Sequence, residues 1–270
     1  MTRSAPTAAD VTQGRALRLD GDRPALFISD LHLDPQRPET VVLFRDFMAQ
    51  TAPRAGSLFI LGDFFEAWVG DDDLPAPFNA DIVSALATLS AGGTALYFLH
   101  GNRDFLAGAA FARAAGLHLL PDPVRIELFG TPTLLSHGDV FCSDDGAYQA
   151  FRAQVRQRDW QTEFLGKPIE ARHAFARALR ERSEHAKSGK KPDIMDVNLD
   201  TVARHARAAD VRRIIHGHTH RPARHVHDLG DRRIERWVLP DWHDTGGYLI
   251  CDRSGCRALP WPRTEPSPGE

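Results

Sequence analysis

The segment LFISDLH, at residues 26–32, is an apolar run that stops abruptly at a carboxylate and an imidazole, Asp30 and His32. Residues 26–29 have the length and composition of a buried β-strand. Four more short apolar runs ending at polar or glycine-containing loops follow, at residues 58–61, 95–99, 133–136 and 213–215. Helical composition and spacing mark the intervening residues 40–50, 80–90 and 106–115. The order β-α-β-α-β predicts an α/β sandwich.

A second group of segments has the pattern of hairpin strands, because Gly-Thr-Pro or Leu-Gly-Asp turns separate them. These segments lie at residues 124–129, 223–227, 234–239 and 248–251. We therefore expect them to form a second sheet.

Length and composition limit the number of domains. A chain of 270 residues with 42% hydrophobic content can bury one large core, or one core plus an insertion. We predict a core at residues 24–146 and 198–260, a disordered tail at 1–23 and an irregular tail at 261–270. The first tail lacks the apolar centre of a secretion signal, and no stretch approaches the roughly 18 apolar residues of a membrane span.

Strand signals stop between the two parts of the core, over residues 147–197, where helical periodicity takes over. Tyr148, Phe151 and Val155 share one helical face, and a second helix is predicted to begin near Pro168. Long insertions over a functional site are often lids. A helical pair that only thickens the domain explains the same pattern, and the sequence alone leaves both interpretations open.

Positive charge is concentrated in one region of the chain. Residues 152–236 contain 20 Lys or Arg against 12 Asp or Glu, although the whole chain has a net charge of −3. This excess suggests an anionic substrate or an anionic membrane surface. A solvated helical face carrying arginines is an equally common explanation.

The three cysteines, Cys142, Cys251 and Cys256, form no CxxC pair and cannot all be bridged. Such usage is typical of a reducing cytoplasm. We expect structural thiols.

Each of the five apolar runs is followed by residues that can bind a metal ion. These candidate ligands are Asp30, His32, Asp63, Asn102, His137, His218 and His220. Because sites in open α/β sheets form outside the carboxyl ends of strands, the candidates are expected to meet at one edge. Carboxylate and imidazole ligands suit Mn²⁺, Fe or Zn²⁺. A carboxylate such as Asp63 can bridge two ions roughly 3.5–4 Å apart, the separation used by two-metal hydrolases.

Alone, each motif is an ordinary loop signal. Together, the ordered motifs DxH, GDxxE, GNRD, SHGD and GHTH resemble the calcineurin-like metallophosphoesterases, over residues 26–221. The resemblance implies an α-β-β-α sandwich of two mixed sheets with a helical lid insertion, and a metal-bridging water as the nucleophile. It assigns to the first metal Asp30, His32, Asp63 and His220. It assigns to the second metal Asp63, Asn102, His137 and His218.

The remaining histidines fall outside these motifs. His100 and His216 lie near the same edge, so we expect them to pack behind the ligands. His173, His185 and His205 occur in helical segments and are expected at the surface.

Arg103 stands where many members of that superfamily carry a histidine that helps protonate the leaving group. Arginine stays charged near neutral pH, so it cannot act as a general acid, but its guanidinium can grip phosphate oxygens in a bidentate manner. We expect Arg103 to be a catalytic residue acting on a substrate with a good leaving group, such as a pyrophosphate.

Five longer stretches of the sequence are distinctive: GDFFEAWVGDDD at 62–73, HGNRDF at 100–105, DDGAYQAFR at 144–152, IMDVN at 194–198 and HGHTHRP at 216–222. Together they resemble a narrower family, the UDP-2,3-diacylglucosamine diphosphatases of lipid A biosynthesis, over residues 26–243. The resemblance implies hydrolysis of UDP-2,3-diacylglucosamine to UMP and 2,3-diacylglucosamine 1-phosphate, with two Mn²⁺ ions per chain. It also implies a cytoplasmic location, peripheral on the anionic cytoplasmic face of the inner membrane.

The same resemblance implies a set of substrate contacts. They are Asn102, Arg103, Asp145, Tyr148, Ser183, Lys187, Lys190 and His218. Lys187 and Lys190 face one way on a helix, although a Lys-Ser-Gly-Lys-Lys run is more often a solvated helix end. Apolar residues of the insertion that could hold acyl chains, or only pack its helices, are Trp160, Phe164, Leu165, Ile169, Phe175 and Leu179.

Three alternative functions remain. One is a calcineurin-like phosphodiesterase or pyrophosphatase acting on a soluble nucleotide, against which Arg103 and the insertion argue. Another is a scaffold that has lost catalysis, which the complete ligand set disfavours. The last is a nucleic-acid binder, which we do not expect because the arginines are not interleaved with aromatic residues for base stacking.

Overall fold

The first of two sheets carries the apolar runs nearest the start of the chain. The computed structural model describes residues 17–189, 196–243 and 245–262, and only the backbone of residues 183–189. The strands of this sheet are β2 (Ala25–Ile28), β3 (Ser57–Ile60), β4 (Ala95–Leu99), β5 (Leu117–Leu120), β11 (Gly246–Asp252) and β12 (Gly255–Trp261). Their order is β12-β11-β2-β3-β4-β5, with β2 to β5 parallel and β11 antiparallel to both of its neighbours.

The second sheet is also mixed. Its strands are β1 (Leu17–Leu19), β6 (Val124–Leu128), β7 (Thr131–Leu135), β8 (Arg213–His216), β9 (Ala223–Asp228) and β10 (Arg233–Val238). The order is β1-β6-β7-β8-β10-β9, in which β6 and β7 pair antiparallel, as do β9 and β10, while the other pairs are parallel.

Three helices cover the outer face of the first sheet. They are α1 (Pro38–Gln50), α2 (Pro77–Ala91) and α3 (Ala109–Ala115). Side chains alternate along a strand, so every second residue of β2, β3 and β4 faces these helices. Ile28, Ile60 and Phe98 from the strands share a buried cluster with Phe44 and Phe111 from the helices.

The opposite face of the first sheet packs against the second sheet. Phe27, Phe59 and Tyr97 stack along it, with ring centroids 4.8 Å and 4.6 Å apart, and they meet Ile126 and Ile215 of the second sheet. These strands are therefore apolar on both faces, which explains their continuous hydrophobic runs.

The outer face of the second sheet is covered by α7 (Leu199–Ala208). Leu134, Ile214 and Ile234 of this sheet pack against Val202 and Ala206 of that helix. The layers thus run α-β-β-α, and the expected fold class is confirmed.

The assignment of strands to the two sheets differs from the sequence expectation. The predicted strands at 133–136 and 213–215 belong to the second sheet, and the strand at 248–251 pairs with β2 in the first. Run length and composition predict a buried strand, but they carry no information about its partner.

The structure also differs from the prediction at the two boundaries between the core and its tails. Residues 17–19 fall in the expected tail but form β1, and Leu17 is buried beside Ile126. Trp261 closes β12, where its ring lies 5.7 Å from that of Phe47 and its indole N–H donates to the carbonyl of Leu43 at 3.0 Å. Short apolar segments next to polar termini gave too weak a signal to predict these contacts.

The expectation of three thiols is wrong for two of the cysteines. Cys251 and Cys256 face each other across the β11–β12 hairpin and form a disulfide, whereas Cys142 is buried and lies outside this disulfide. Sequence spacing alone did not reveal the hairpin register that brings the first two together.

The part of the insertion that the structure describes contains three helices in place of the expected pair. These are α4 (Gly146–Val155), α5 (Arg158–Leu165) and α6 (Ile169–Gly189). An extended backbone at Gln157 separates the first two. The aromatic rings of Trp160, Phe164 and Phe175 pack between α5 and α6. Among the described residues, no helix combines the length and apolar character needed to cross a bilayer.

Candidate metal centre and substrate cavity

The structure brings the seven candidate ligands together at the carboxyl ends of five strands. Three strands belong to the first sheet and two to the second, so the cluster lies where the sheets meet. Five of the ligands have backbone φ between 50° and 69°, a region that non-glycine residues seldom occupy. They are Asp30, His32, Asp63, His218 and His220. Such conformations concentrate at functional sites.

One group of donors surrounds Asp30. Its Oδ1 lies 3.4 Å from Nε2 of His220, which in turn lies 3.5 Å from Nε2 of His32. Nε2 of His32 is 3.8 Å from Oδ2 of Asp63. Oδ2 of Asp30 accepts hydrogen bonds from the hydroxyl of Ser29 at 2.6 Å and the backbone N–H of His218 at 2.9 Å, which fixes the carboxylate. The donor set expected for a first cation is thus assembled.

A second group lies on the other oxygen of Asp63. Oδ1 of Asp63 is 3.7 Å from Nε2 of His137, and that nitrogen is 3.1 Å from both Oδ1 of Asn102 and Nδ1 of His218. Asp63 therefore offers one oxygen to each group, as a bridging carboxylate would.

In three of the histidine ligands, the ring nitrogen that points away from the cluster faces a hydrogen-bond acceptor. Nδ1 of His137 donates to the carbonyl of Leu61 at 2.9 Å. Nδ1 of His32 lies 3.2 Å from Oε2 of Glu66, and Nδ1 of His220 lies 3.4 Å from a carboxylate oxygen of Asp241. Such partners fix the tautomer and leave Nε2 free for a metal.

The electrostatics of the cluster favour cations. Burial lowers the pKa of His137, but neighbouring carboxylates, Asp63 foremost, overcome this and raise it to about 9. Burial also lowers the pKa of His220, but hydrogen bonds to Asp241 and a second carboxylate overcome this effect and raise the pKa to about 10. Burial and the charge of His137 lower the pKa of His218 to about 4, which keeps it in the neutral form that binds metals. This buried excess of negative charge fits divalent cations.

Sequence reasoning missed three residues that position the ligands. Glu66 was visible only as the last letter of GDxxE, and Asp241 lies outside every motif. Asp104, the last residue of GNRD, is fully buried and accepts hydrogen bonds from the backbone N–H groups of Phe64 and Gly101, both at 2.8 Å. It thereby ties the ligand loop after β3 to the ligand loop after β4.

The other histidines are placed as follows. Nε2 of His100 donates to the carbonyl of Ala107 at 2.7 Å, and His216 is fully buried behind the ligands. Nε2 of His173 lies 3.0 Å from a carboxylate oxygen of an aspartate and its side chain is only partly exposed, and His205 packs against an aromatic ring. These two are therefore not simple surface residues, while the side chain of His185 is outside the described residues.

A cavity of about 760 Å³ connects the ligand cluster with the insertion. Its polar end contains Arg103, whose Nη1 lies 3.5 Å from Glu66 and whose buried Nε has no hydrogen-bond partner among the described residues. Its apolar end is lined by Phe105, Trp160, Phe164, Phe175 and Leu179. Leu165 and Ile169, also expected to face acyl chains, do not line it.

Five of the eight predicted substrate contacts meet in this cavity. Asn102, Arg103, Asp145, Tyr148 and His218 line the cavity. The Tyr148 hydroxyl already donates to Oδ2 of Asp139 at 2.7 Å, and Asp145 caps α4 by accepting from the backbone N–H of Tyr148. The side chains of Ser183 and Lys187, and the whole of Lys190, lie outside the described residues.

Comparisons with known proteins agree with this geometry. A family model described as calcineurin-like phosphoesterase matches residues 23–222. A protein of Aromatoleum aromaticum named UDP-2,3-diacylglucosamine hydrolase is 51% identical, covering 86% of this chain and 94% of its own. Proteins of the same name from Stenotrophomonas maltophilia and Pseudomonas paraeruginosa are each 48% identical, covering 85% and 88% of this chain and 95% and 98% of their own.

Proposed function

The chain belongs to the calcineurin-like phosphoesterase family, and we propose that it hydrolyses the pyrophosphate bond of UDP-2,3-diacylglucosamine. The products are UMP and 2,3-diacylglucosamine 1-phosphate. The observation that carries the proposal is the single cavity that joins a cluster of metal ligands to an apolar chamber in the insertion. A substrate in which a pyrophosphate is attached to a lipid needs the metal ligands at one end of the cavity and the apolar chamber at the other. The names of the relatives support the same substrate.

The cofactor we propose is a pair of Mn²⁺ ions held by the seven ligands. Two divalent cations supply an activated water and the positive charge that phosphoryl transfer requires. The carboxylate, amide and imidazole donor set is compatible with manganese. Metal analysis of the purified protein, and recovery of activity after chelation by Mn²⁺, Mg²⁺, Co²⁺ or Zn²⁺, tests both the identity and the number of ions. Metal-free protein that retains full activity would contradict the proposal.

We assign to Arg103 the task of gripping the phosphate oxygens. Its side chain is mostly buried beside the ligands, with Glu66 as the only ion-pair partner among the described residues and with Nε unpaired. A buried guanidinium with donors to spare is suited to an anionic substrate. Arg103→Ala should lower kcat/KM by about two orders of magnitude, in line with removal of one stabilising donor from an active site. Unchanged KM and kcat would remove Arg103 from the mechanism.

We propose that residues 147–197 form a lid whose apolar lining holds the acyl chains. Trp160 and Phe164 stack with their centroids 4.9 Å apart and face the cavity, and Phe105 reaches the same place from the core. Making Trp160 and Phe164 polar should weaken binding of a diacyl substrate. A double variant that folds and still binds the diacyl substrate normally would exclude the chain pocket.

We also propose that the protein is cytoplasmic and docks on the anionic cytoplasmic face of the inner membrane. On the insertion, Phe175 and Leu165 are 40% and 41% exposed, and the exposed residues Arg177 and Arg182 lie on the same helix as Phe175. Exposed apolar residues beside arginines suit an interfacial helix. Cosedimentation with vesicles containing an anionic lipid, but not with neutral vesicles, is the expected result. Equal recovery with both would contradict docking by charge.

The central experiment compares release of UMP from UDP-2,3-diacylglucosamine and from UDP-glucosamine without acyl chains, in the presence of Mn²⁺. We expect strong preference for the diacylated substrate. Equal rates would favour an enzyme for soluble nucleotides, and no turnover together with no bound metal would favour a catalytically inactive scaffold.

A further inference from the structure

A second, smaller cavity adjoins the first on the far side of the last ligand loop. It has a volume of about 260 Å³ and shares Thr219 and Arg221 with the large cavity. The loop that separates the two cavities carries the ligands His218 and His220. The small cavity is lined by Asp196, Thr219, Arg221, Pro222, Ala223, His225, Arg236 and Val238.

The unusual feature of this cavity is Arg236, which is only 4% exposed. Its Nε donates to Nε2 of His227 at 3.2 Å, and its Nη1 lies 3.1 Å from Nε2 of His216. Both partners are imidazole nitrogens, which bring no negative charge to the guanidinium. Among the described residues, no carboxylate forms an ion pair with Arg236. A buried charge with no carboxylate in direct contact is costly unless an anionic or oxygen-rich ligand completes it.

The other polar groups of the cavity complement this charge. Arg221 forms an ion pair with Asp196 at 2.5 Å, and Asp196 also accepts from the backbone N–H of Val197 at 2.7 Å. Asp196 also attracts Arg236, so one carboxylate faces two arginines and one positive charge remains in excess. The buried hydroxyl of Thr219 has no hydrogen-bond partner among the described residues. The cavity thus combines cationic donors with one carboxylate acceptor.

We propose that the small cavity binds the nucleotide half of the substrate, with Arg236 as its principal anchor. This inference rests on the proposed function, because a pyrophosphate diester carries two arms and the apolar chamber can take only the lipid arm. The small cavity opens beside the same ligand loop and is too small for a diacylated sugar. Arg236 and Arg221 suit phosphate and carbonyl oxygens, and Asp196 suits a ribose hydroxyl or a base N–H.

The test uses the manganese-loaded, full-length protein and the variant Arg236→Gln. Binding of UMP, uridine and inorganic phosphate is measured by calorimetry, and inhibition by UMP and by 2,3-diacylglucosamine 1-phosphate is measured separately. Loss of a hydrogen-bonded charge at a buried contact should weaken UMP about tenfold or more. The inhibition constant of the lipid product should change less than about twofold, since that arm lies in the other cavity.

Arg224→Gln is the matched control, because Arg224 is 52% exposed on neighbouring β9 and pairs with Glu235. It should leave UMP binding unchanged. If Arg236→Gln does not fold, Thr219→Val and Arg221→Gln are judged by the same criterion.

Three outcomes would overturn the inference: unchanged UMP binding, equal weakening of both products, or a loss confined to inorganic phosphate with uridine and UMP unaffected. The last would make the cavity a site for free phosphate. The UMP titration does not depend on turnover, so it decides the role of the cavity even if UDP-2,3-diacylglucosamine proves not to be the substrate.

Discussion

Arg172 is one of the contacts that fix the insertion to the core. It is 2% exposed, its Nη1 donates to the carbonyl of Val69 at 2.7 Å, and its guanidinium forms a two-pronged ion pair with Asp72. Its Nε donates to the carbonyl of Lys167 at 3.0 Å within the insertion. Gly70 leaves room for it, because a Cβ there would lie 2.4 Å from Nη1. Arg172→Met removes these bonds while keeping the apolar stem.

The size of the effect follows from the burial of each partner. The bond to the buried Val69 carbonyl contributes about 1.5–3 kcal/mol, as expected for a charged donor. The pair with Asp72 adds at most about 1 kcal/mol, since Asp72 is 59% exposed and solvent screens it. We therefore expect the insertion of Arg172→Met to open more easily by about 3 kcal/mol. The core should keep its stability, because no core strand depends on this residue.

Hydrogen exchange of the metal-loaded protein measures this directly. Amides of α5 and the first turns of α6 should exchange roughly a hundredfold faster in Arg172→Met, while those of β3 and β4 keep their protection. KM for the diacyl substrate should rise with kcat less affected. Arg177→Met, which replaces an exposed arginine on the same helix, is the control for hydrogen exchange and should leave it unchanged. Unchanged exchange in α5 and α6, or an equal increase in the core strands, would refute the view of Arg172 as a local anchor.

Three further predictions concern the metal centre and its surroundings. Glu66→Gln should weaken manganese binding about 10- to 100-fold, since the Glu66 carboxylate orients a ligand histidine. The metal content of the protein at limiting Mn²⁺ measures this loss, and full occupancy would contradict the prediction. Gly217→Ala should abolish manganese binding, because the added Cβ would lie 2.1 Å from Oδ2 of Asp30. Gly146→Ala, where a Cβ meets open space, is the control and should bind manganese normally. Equal metal content in the two variants would refute the steric argument. Burial lowers the pKa of His216 to about 3, below an unfolded value near 6.5, so its contribution to stability is complete above pH 6.5 and is lost as the pH falls. Between pH 7 and pH 5 this group should account for about 2 kcal/mol of lost unfolding free energy, and denaturant unfolding of His216→Gln should show a loss smaller by that amount; parallel curves would contradict it.

The candidate ligands could be located from sequence because each signal is local. An apolar run that ends in a motif such as SDLH or HGHTH predicts both a strand and the polar residues at its carboxyl end. The partners of each strand could not be read in this way. The strands at 133–136 and 213–215 look like the strand at 58–61, since all are apolar on the faces they bury, yet they lie in the other sheet.

Residues that orient the ligands were hidden for a different reason. Asp241 follows β10 in the second sheet and reaches His220 only because the chain folds back toward β2, where the backbone N–H of Trp242 donates to the carbonyl of Asp30 at 3.0 Å. No motif spans that distance in sequence. Arg236 was equally hidden, because a basic residue in a strand gives no sign of whether it faces solvent or a buried cavity.

The ligand loops are bonded to one another as well as to their own strands, and this bears on how the two donor groups behave. The backbone N–H of Asp30 donates to the carbonyl of Gly62 at 3.1 Å, and that of His32 donates to the carbonyl of Asp63 at 2.9 Å. The backbone N–H of Gly217 donates to the carbonyl of His137 at 2.8 Å. Each of these bonds joins a loop of one strand to a loop of another. A shift in any single loop therefore moves ligands of both groups, since Asp63 belongs to both. The two metal positions should consequently act as one unit, and effects of substitutions in them should not add independently.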